Sequence, residues 1–424
     1  MNPLAHHRTQ ALWRIALPLP LLVLGLAHCS SDEKPPTGTG GQTSSGGMAA
    51  IAGSGTNPTG GTPGTGGTPG TGGGISSGGA PGTGGTPGTD GGTSSGGAGG
   101  IVGSGGSTPS ASGLPTPAGD ANVPKPSGTA TSVTVVSWAG FKGALSFTFD
   151  DTNQSQLDYY DDMNAIGLKY TYYLITGSAK TTEFNSPVWP KAVTAGHELG
   201  NHTKSHAQTD TGPDTDAGQM AIESKFGVKV YTMAAPMGDP SYKTVATTRY
   251  LINRGVSGAT IKPKDSSDPF NLPCFLPAAG SSQNYGTYLT DAKGGGWDVI
   301  LVHGFTKKPD GSNESDGAYQ AVEYAKFKTD ALQAAKAATD IWTDPVVKVG
   351  AYWRAEKMFS SVTPTTSGSD KVWTWTLPDH FPPNQYLRVK VDGGTLKQNG
   401  TALNWDGHGY YEIALDAKSV TLSP

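Results

Sequence analysis

The stretch "ALSFTFDD" (Ala144–Asp151) reads as a short strand of mostly apolar residues that runs directly into two carboxylates. Within a strand, neighbouring side chains point to opposite faces. At a strand's end, where the backbone turns, Asp150 and Asp151 can lean into one cleft. Two carboxylates held close repel as anions, so the pair is costly unless a positive group sits beside it. Further along, "HELGNHTKSH" (His197–His206) carries three of the chain's nine histidines. A histidine pair four residues apart, here His202 and His206, is weak evidence alone. Neutral imidazoles do bind zinc, however, and a catalytic zinc site takes three protein ligands with a fourth position left open. A carboxylate from the first stretch supplies the expected third. His197 precedes the strand-like "ELG", and we read it and Glu198 as local scaffolding outside any metal site.

Working outward, strand-like and helix-like segments alternate from Gly143 onward. "NQSQLDYYDDMNAIG" has helical spacing and "KYTYYLI" is aromatic and β-branched. "SPVWPKAVTAG" and "TDAGQMAIESKFG" read as helices, and "KVYTMAAP" as a strand. "SYKTVATTRYLINRG" reads as one helix followed by a strand "SGATI". "WDVILVHGF" is a buried strand ending at His303, "AYQAVEYAKFKTDALQAAKAA" a long amphipathic helix, and "VKVGAYW" the last strand. Repeated strand–helix units predict a parallel sheet covered by helices and closed into a barrel. The polar clusters fall just past strand ends, where such folds place their chemistry.

Three of these clusters carry a family resemblance. "TFDD" (Thr148–Asp151), "HTKSH" (His202–His206) and "LVH" (Leu301–His303) resemble the first, second and fifth motifs of the polysaccharide deacetylases, carbohydrate esterases with the nodulation-type deacetylase domain. Their order and spacing fit, over about residues 131–361. The resemblance implies an α/β fold, a distorted (β/α) barrel of the polysaccharide deacetylase type. It implies Asp151, His202 and His206 as ligands of a divalent metal, usually Zn2+, with Co2+ or Ni2+ as alternatives. It further implies Asp150 as general base, His303 as general acid, the Met237 backbone N–H as an oxyanion donor, and Leu301 as the apolar wall for an acetyl methyl group. Two motifs depart from the pattern. "AAPMG" (Ala234–Gly238) has alanine where the family's third motif has an arginine that orients the catalytic aspartate. The fourth motif is reduced to "DSSDP" (Asp265–Pro269) without its tryptophan; Trp297 either lines the acetyl pocket or packs.

The ends of the chain differ in character. Gly accounts for 62 of 424 residues, and 34 of them lie between Thr37 and Ala130, in repeats such as "GTPGTGGTPGTGG". Such a segment has nothing to bury and is expected to be a disordered tether over residues 30–130. Residues 1–29 read as an export signal. A basic start precedes "IALPLPLLVLGLA", too short to span a bilayer, and "LAHC" resembles a lipobox ending at Cys29. The expected location is therefore extracytoplasmic: anchored at the cell envelope or surface, with membrane contact only through a lipid on Cys29, or otherwise secreted. From Val362 to the end, period-two alternation with Gly, Asn and Pro turns predicts a small β-sandwich-like module. Its Trp373, Trp375, Trp405, Tyr410 and Tyr411 read either as a sugar-stacking face or as its core.

A net charge of −4 offers no affinity for nucleic acid, and two cysteines allow no disulfide framework. The expected partner is an acetylated polysaccharide such as xylan, a chitin-type glycan or peptidoglycan, acted on by a monomer. The alternative is a catalytically weak or inactive surface carbohydrate-binding protein on the same scaffold.

Overall fold

The structure, a computed structural model, describes residues 112–314 and 316–424. The signal segment, Cys29 and the tether up to residue 111 lie outside the described residues. Strands in chain order are β1 (Val133–Val135), β2 (Gly143–Phe149), β3 (Thr171–Leu174), β4 (Glu198–Asn201), β5 (Thr232–Ala234), β6 (Ile252–Arg254), β7 (Trp297–Val302) and β8 (Ile341–Thr343). They continue as β9 (Thr365–Ser367), β10 (Asp370–Thr374), β11 (Tyr386–Val391), β12 (Thr395–Gln398), β13 (Thr401–Ala402), β14 (Tyr411–Ala414) and β15 (Ser419–Ser423).

β2 to β8 form one parallel sheet in the order β6-β5-β4-β3-β2-β7, with β8 pairing the first residues of β2. Between β6 and β7 the wall is completed by residues 272–275. Leu272 bridges Arg254, and Phe275 bridges Ile300. The result is the distorted barrel expected from the alternation of elements. β2 runs through its middle and is buried at all seven positions. Leu145, Phe147 and Phe149 pack outward with the helix residues Tyr159, Met163 and Phe327. Ser146 and Thr148 face the β7 side instead, meeting the Trp297 indole N–H and the Ile300 carbonyl. A strand covered on both sides has no polar face, which is why "ALSFTF" reads as continuously buried.

Two antiparallel sheets, β1-β11-β14 and β13-β12-β15-β10-β9, make up the C-terminal β module. Trp373, Trp375, Tyr410 and Tyr411 are buried in it, so these aromatics build its core rather than a sugar platform. The expected boundaries need revision on both sides. β1, expected to belong with residues 131–361, pairs with β11 of the module. Residues 112–130, expected to be tether, lie in extended form against it. The Arg388 guanidinium donates to the Pro115 and Leu114 carbonyls, and Trp405 donates to Val123. Prolines in this stretch hold the backbone extended and leave its carbonyls free to accept such bonds.

Two further expectations fail. "VKVGAYW" is the start of a helix, Val346–Ser360, wedged between barrel and β module. Its buried residues surround it on nearly every side, so no amphipathic period appears and the β-branched and aromatic residues mimic a strand. Gly350 permits this close approach, since a Cβ there would lie 2.1 Å from Ile252. "SYKTVATTRYLINRG" contains a helix only over Tyr242–Thr247 and then β6, while "SGATI" forms no strand. Leu251 and Ile252 follow Tyr250 at spacings that prolong the helical pattern, and three residues are too few to reveal period two. The helix expected across residues 318–338 begins only at Tyr324 and passes through a π-helical stretch, Lys328–Gln333.

His197 sits at the start of β4, the opposite end from His202. Its Nδ1 accepts the Tyr170 N–H at 3.0 Å, its Nε2 pairs with Asn164, and its ring stacks on Tyr170. Burial, helped by the charge of Lys169, pushes its pKa down to about 4. A folded-state value below the ordinary 6.5 means the proton binds better to the unfolded chain. The His197 contribution is complete above about pH 6.5 and is lost as pH falls toward about 4. The Tm difference between the wild type and His197→Gln is expected to narrow across that window, as thermal melts at successive pH values would show.

Candidate metal centre and active site

The chemistry-bearing residues follow β2, β4, β5, β6 and β7, all at the C-terminal rim of the barrel. β2 delivers Asp150 and Asp151. Asp151 has φ 72° and Thr152 φ 55°, so the backbone turns left-handed at once after the strand. That turn lets two adjacent side chains share one cleft, which an extended backbone forbids. Left-handed residues recur at Thr203, His206 and Met237. Each costs about 1–3 kcal/mol and persists only where surroundings enforce it. Here local bonds do so: the Ile175 N–H donates to Thr152 Oγ1, Thr203 N–H to Asn201 Oδ1, and His206 N–H to Thr203 Oγ1.

The three expected ligands come together. His202 Nε2 lies 3.3 Å from Asp151 Oδ1, and His206 Nε2 lies 3.5 Å from the same oxygen. Ligands about 2.0–2.1 Å from a tetrahedral zinc stand about 3.3–3.4 Å apart, so the spacing suits one small divalent ion. Asp151 Oδ1 is buried and faces only these two imidazoles, so nothing else competes with such an ion for its lone pairs. His202 Nδ1 meets the Ala234 carbonyl at 2.9 Å. A proton on Nδ1 satisfies that carbonyl and turns the Nε2 lone pair toward the centre. Thus Ala234, whose side chain departs from the family pattern, still serves through its backbone.

Charges at the centre are tightly linked. Burial works to raise the Asp151 carboxyl, but the hydrogen bond from His202 and the charges of His202, His303 and His206 together hold it well below the usual carboxylate range. Burial works against a proton on His202, but Asp150 and Asp151 outweigh it and raise its pKa. Burial, reinforced by His202, pushes His206 down to about 4 and keeps it neutral.

Asp150 and His303 flank the triad. Asp150 is 2% exposed. Its Oδ2 accepts from Arg254 Nη2 and lies 3.5 Å from His202 Nε2, while Oδ1 is buried without a partner. His303 Nε2 stands 4.0 Å from Asp151 Oδ2. The His303 carbonyl accepts from the side-chain amides of Asn153 and Gln156 at 2.8 and 2.7 Å, which fixes the backbone that carries the ring. Its ring meets Tyr319 edge-on at 5.4 Å between centroids. Burial lowers the His303 pKa despite the nearby Asp151 and Asp150. Leu301 lies two residues before His303, buried and registered with Thr148. Met237 is half exposed on the rim after β5.

Not all polar residues singled out in the sequence join this centre. Asp265 and Asp268 serve the local backbone of residues 262–270, and Asp268 pairs with Lys243. Trp297 packs against Trp138 and Trp353. Glu198 lies at the far end of β4, accepting from Thr171, Thr232 and the Val347 N–H. Conversely, sequence reasoning missed Arg254, fully buried at the end of β6. The helical pattern that runs on through "LINRG" hides it; a strand ending at an arginine before Gly255 is the available signal.

Residues 140–254 match the family model described as polysaccharide deacetylase. That part of the chain belongs to the polysaccharide deacetylase family. The deacetylase-type barrel is similar to the family 4 acetyl xylan esterase of Clostridium thermocellum solved with a cobalt ion, at 13% identity and TM-score 0.31, covering 49% of this chain and 89% of that one. The Xyl-CE4 domain of a multidomain xylanase, from the hindgut metagenome of Trinervitermes trinervoides, gives 19% identity and TM-score 0.31 over 49% of this chain and 89% of that chain. A gellan lyase from a Bacillus species is 28% identical over 158 residues, which is 35% of this chain but 6% of the lyase. The match thus spans a small fraction of that relative's length.

A proton held by His202 between two carboxylates must leave when an ion takes Nε2. Co2+ affinity is therefore expected to rise with pH up to the raised His202 pKa. Calorimetry in buffers of different ionisation enthalpy should register proton release. Asp151→Asn is expected to weaken Co2+ binding by more than about 100-fold.

Proposed function

We propose that the protein hydrolyses acetyl groups, N- or O-linked, from a polysaccharide such as xylan, a chitin-type glycan or peptidoglycan. The observation that carries this reading is one carboxylate and two imidazoles converging on a single point, with a second carboxylate and a third imidazole on either side. A divalent cation held by Asp151, His202 and His206, most simply Zn2+, would supply Lewis acidity to the acetyl carbonyl and to a water molecule. Asp150 Oδ1, buried and without a donor, is placed to take the proton as water oxygen attacks the carbonyl carbon. The bond from that carbon to the sugar nitrogen or oxygen then breaks, and its electron pair takes a proton from His303. An amine or alkoxide leaves poorly without that proton, which His303 would give from its imidazolium form. The Met237 N–H is assigned to the developing oxyanion, and Leu301 to the methyl side of the pocket.

The sequence alone supports an enzyme tethered outside the cytoplasm by a lipid on Cys29. The alternative, a carbohydrate-binding protein without turnover, draws less support, because most aromatics of the β module are buried.

Cobalt-loaded protein is expected to release acetate from at least one of acetylated xylan, chitooligosaccharide or peptidoglycan. Asp150→Asn and His303→Ala should each lower kcat by about 10²–10⁴-fold. Absence of acetate from all three substrates, or activity that survives chelation, would refute the reading.

A further inference from the structure

Two neighbouring carboxylates face one cleft, and nothing in their chemistry decides which should be the ligand. Asp150 Oδ2 lies 3.5 Å from His202 Nε2, a separation equal to that between His206 Nε2 and Asp151 Oδ1 within the triad. Asp150 is therefore near enough to be drawn onto an ion held there. The same Oδ2 is the atom gripped by Arg254 Nη2. We propose that Arg254 is a positioning residue that selects the ligand: by binding Asp150 Oδ2 it withholds that carboxylate from the cation and leaves Oδ1 facing the attacking water. The inference rests on the deacetylase reading for its catalytic half and on geometry alone for its metal half.

The side chain is built for this task. A guanidinium is always charged and rigid, so it competes with a cation for the oxygen at any working pH. Arg254 is fully buried, with Nη1 donating to the Gly255 carbonyl at 2.8 Å and facing Cys274 Sγ at 3.4 Å. Its charge also lies over the Tyr173 ring, 5.4 Å from the centroid. Gly200 makes room for that ring, since a Cβ there would stand 2.4 Å from it. β5 and β6 are in register with Ala234 opposite Arg254. The arginine absent from the Ala234 position is thus present one strand over, at the same height in the barrel.

The test is Arg254→Ala in the full chain, read by Co2+ calorimetry and by kcat for acetate release. Asp150, freed and left as an unpaired buried charge, should turn to the ion. Co2+ binding is expected to tighten by about tenfold or more, while kcat falls about 100-fold. A residue that merely stabilises the fold would weaken binding and activity together. In an Asp150→Asn background the Arg254 substitution should change Co2+ affinity less than twofold and kcat less than threefold, because its effect runs through Asp150. Arg254→Lys keeps the buried charge and serves if the alanine variant does not fold; it should bind Co2+ as the wild type does and retain most of kcat. Weakened Co2+ binding in Arg254→Ala, unchanged kcat in an active enzyme, or additive losses with Asp150→Asn would each overturn the proposal. If the wild type releases no acetate, the deacetylase reading fails separately, and the Co2+ affinities still decide the role of Arg254.

Discussion

Confinement of two anions at the end of one buried strand governs the rest of this molecule. Asp150 and Asp151 share one cleft in which two neighbouring carboxylates repel and are costly to hold without positive partners. Each is matched by its own positive or proton-bearing partners, arginine for one and imidazoles for the other. Because the partners come from different strands, the pairing fixes strand positions around the barrel as firmly as it fixes charge. Removing one partner leaves a buried anion exposed to its neighbour, so the centre behaves as a unit rather than as a sum of pairs.

The barrel makes this assembly possible through direction. Every strand of a parallel sheet ends at the same rim, so residues far apart in sequence arrive side by side. The left-handed residues at that rim spend conformational energy to aim side chains, and hydrogen bonds accepted by the Thr152, Asn201 and Thr203 side chains keep them there. The opposite rim is quieter: His197, Glu198 and Trp297 are held by hydrogen bonds and packing that stabilise without chemistry.

Legibility in the sequence followed physical distinctness. β2 and β7 were readable because strands covered on both sides are apolar throughout, and the polar residues just beyond them stand out against that background. Asp150, Asp151 and His303 stand out in this way, His202 and His206 by their four-residue spacing and the motif they resemble, and the structure brings the five to one cleft. Arg254 does not stand out, because a three-residue strand carries too little periodicity to separate it from the helix before it. The first half of the helix at Val346–Ser360 reads as a strand for the opposite reason, since burial on nearly all sides erases its polar face. The ordering of residues 112–130 was equally hidden, since it depends on Arg388 and Trp405, nearly three hundred residues away in the chain.

That last contact has a mechanical side. Arg388 is fully buried, held by Glu412 and stacked near Tyr410, and it grips the carbonyls of residues 114 and 115. Any pull arriving from upstream along the chain meets this clamp before it can reach the barrel. The β module would absorb the load in its own strands, and the alignment of the rim residues would be insulated from tension on the leading segment.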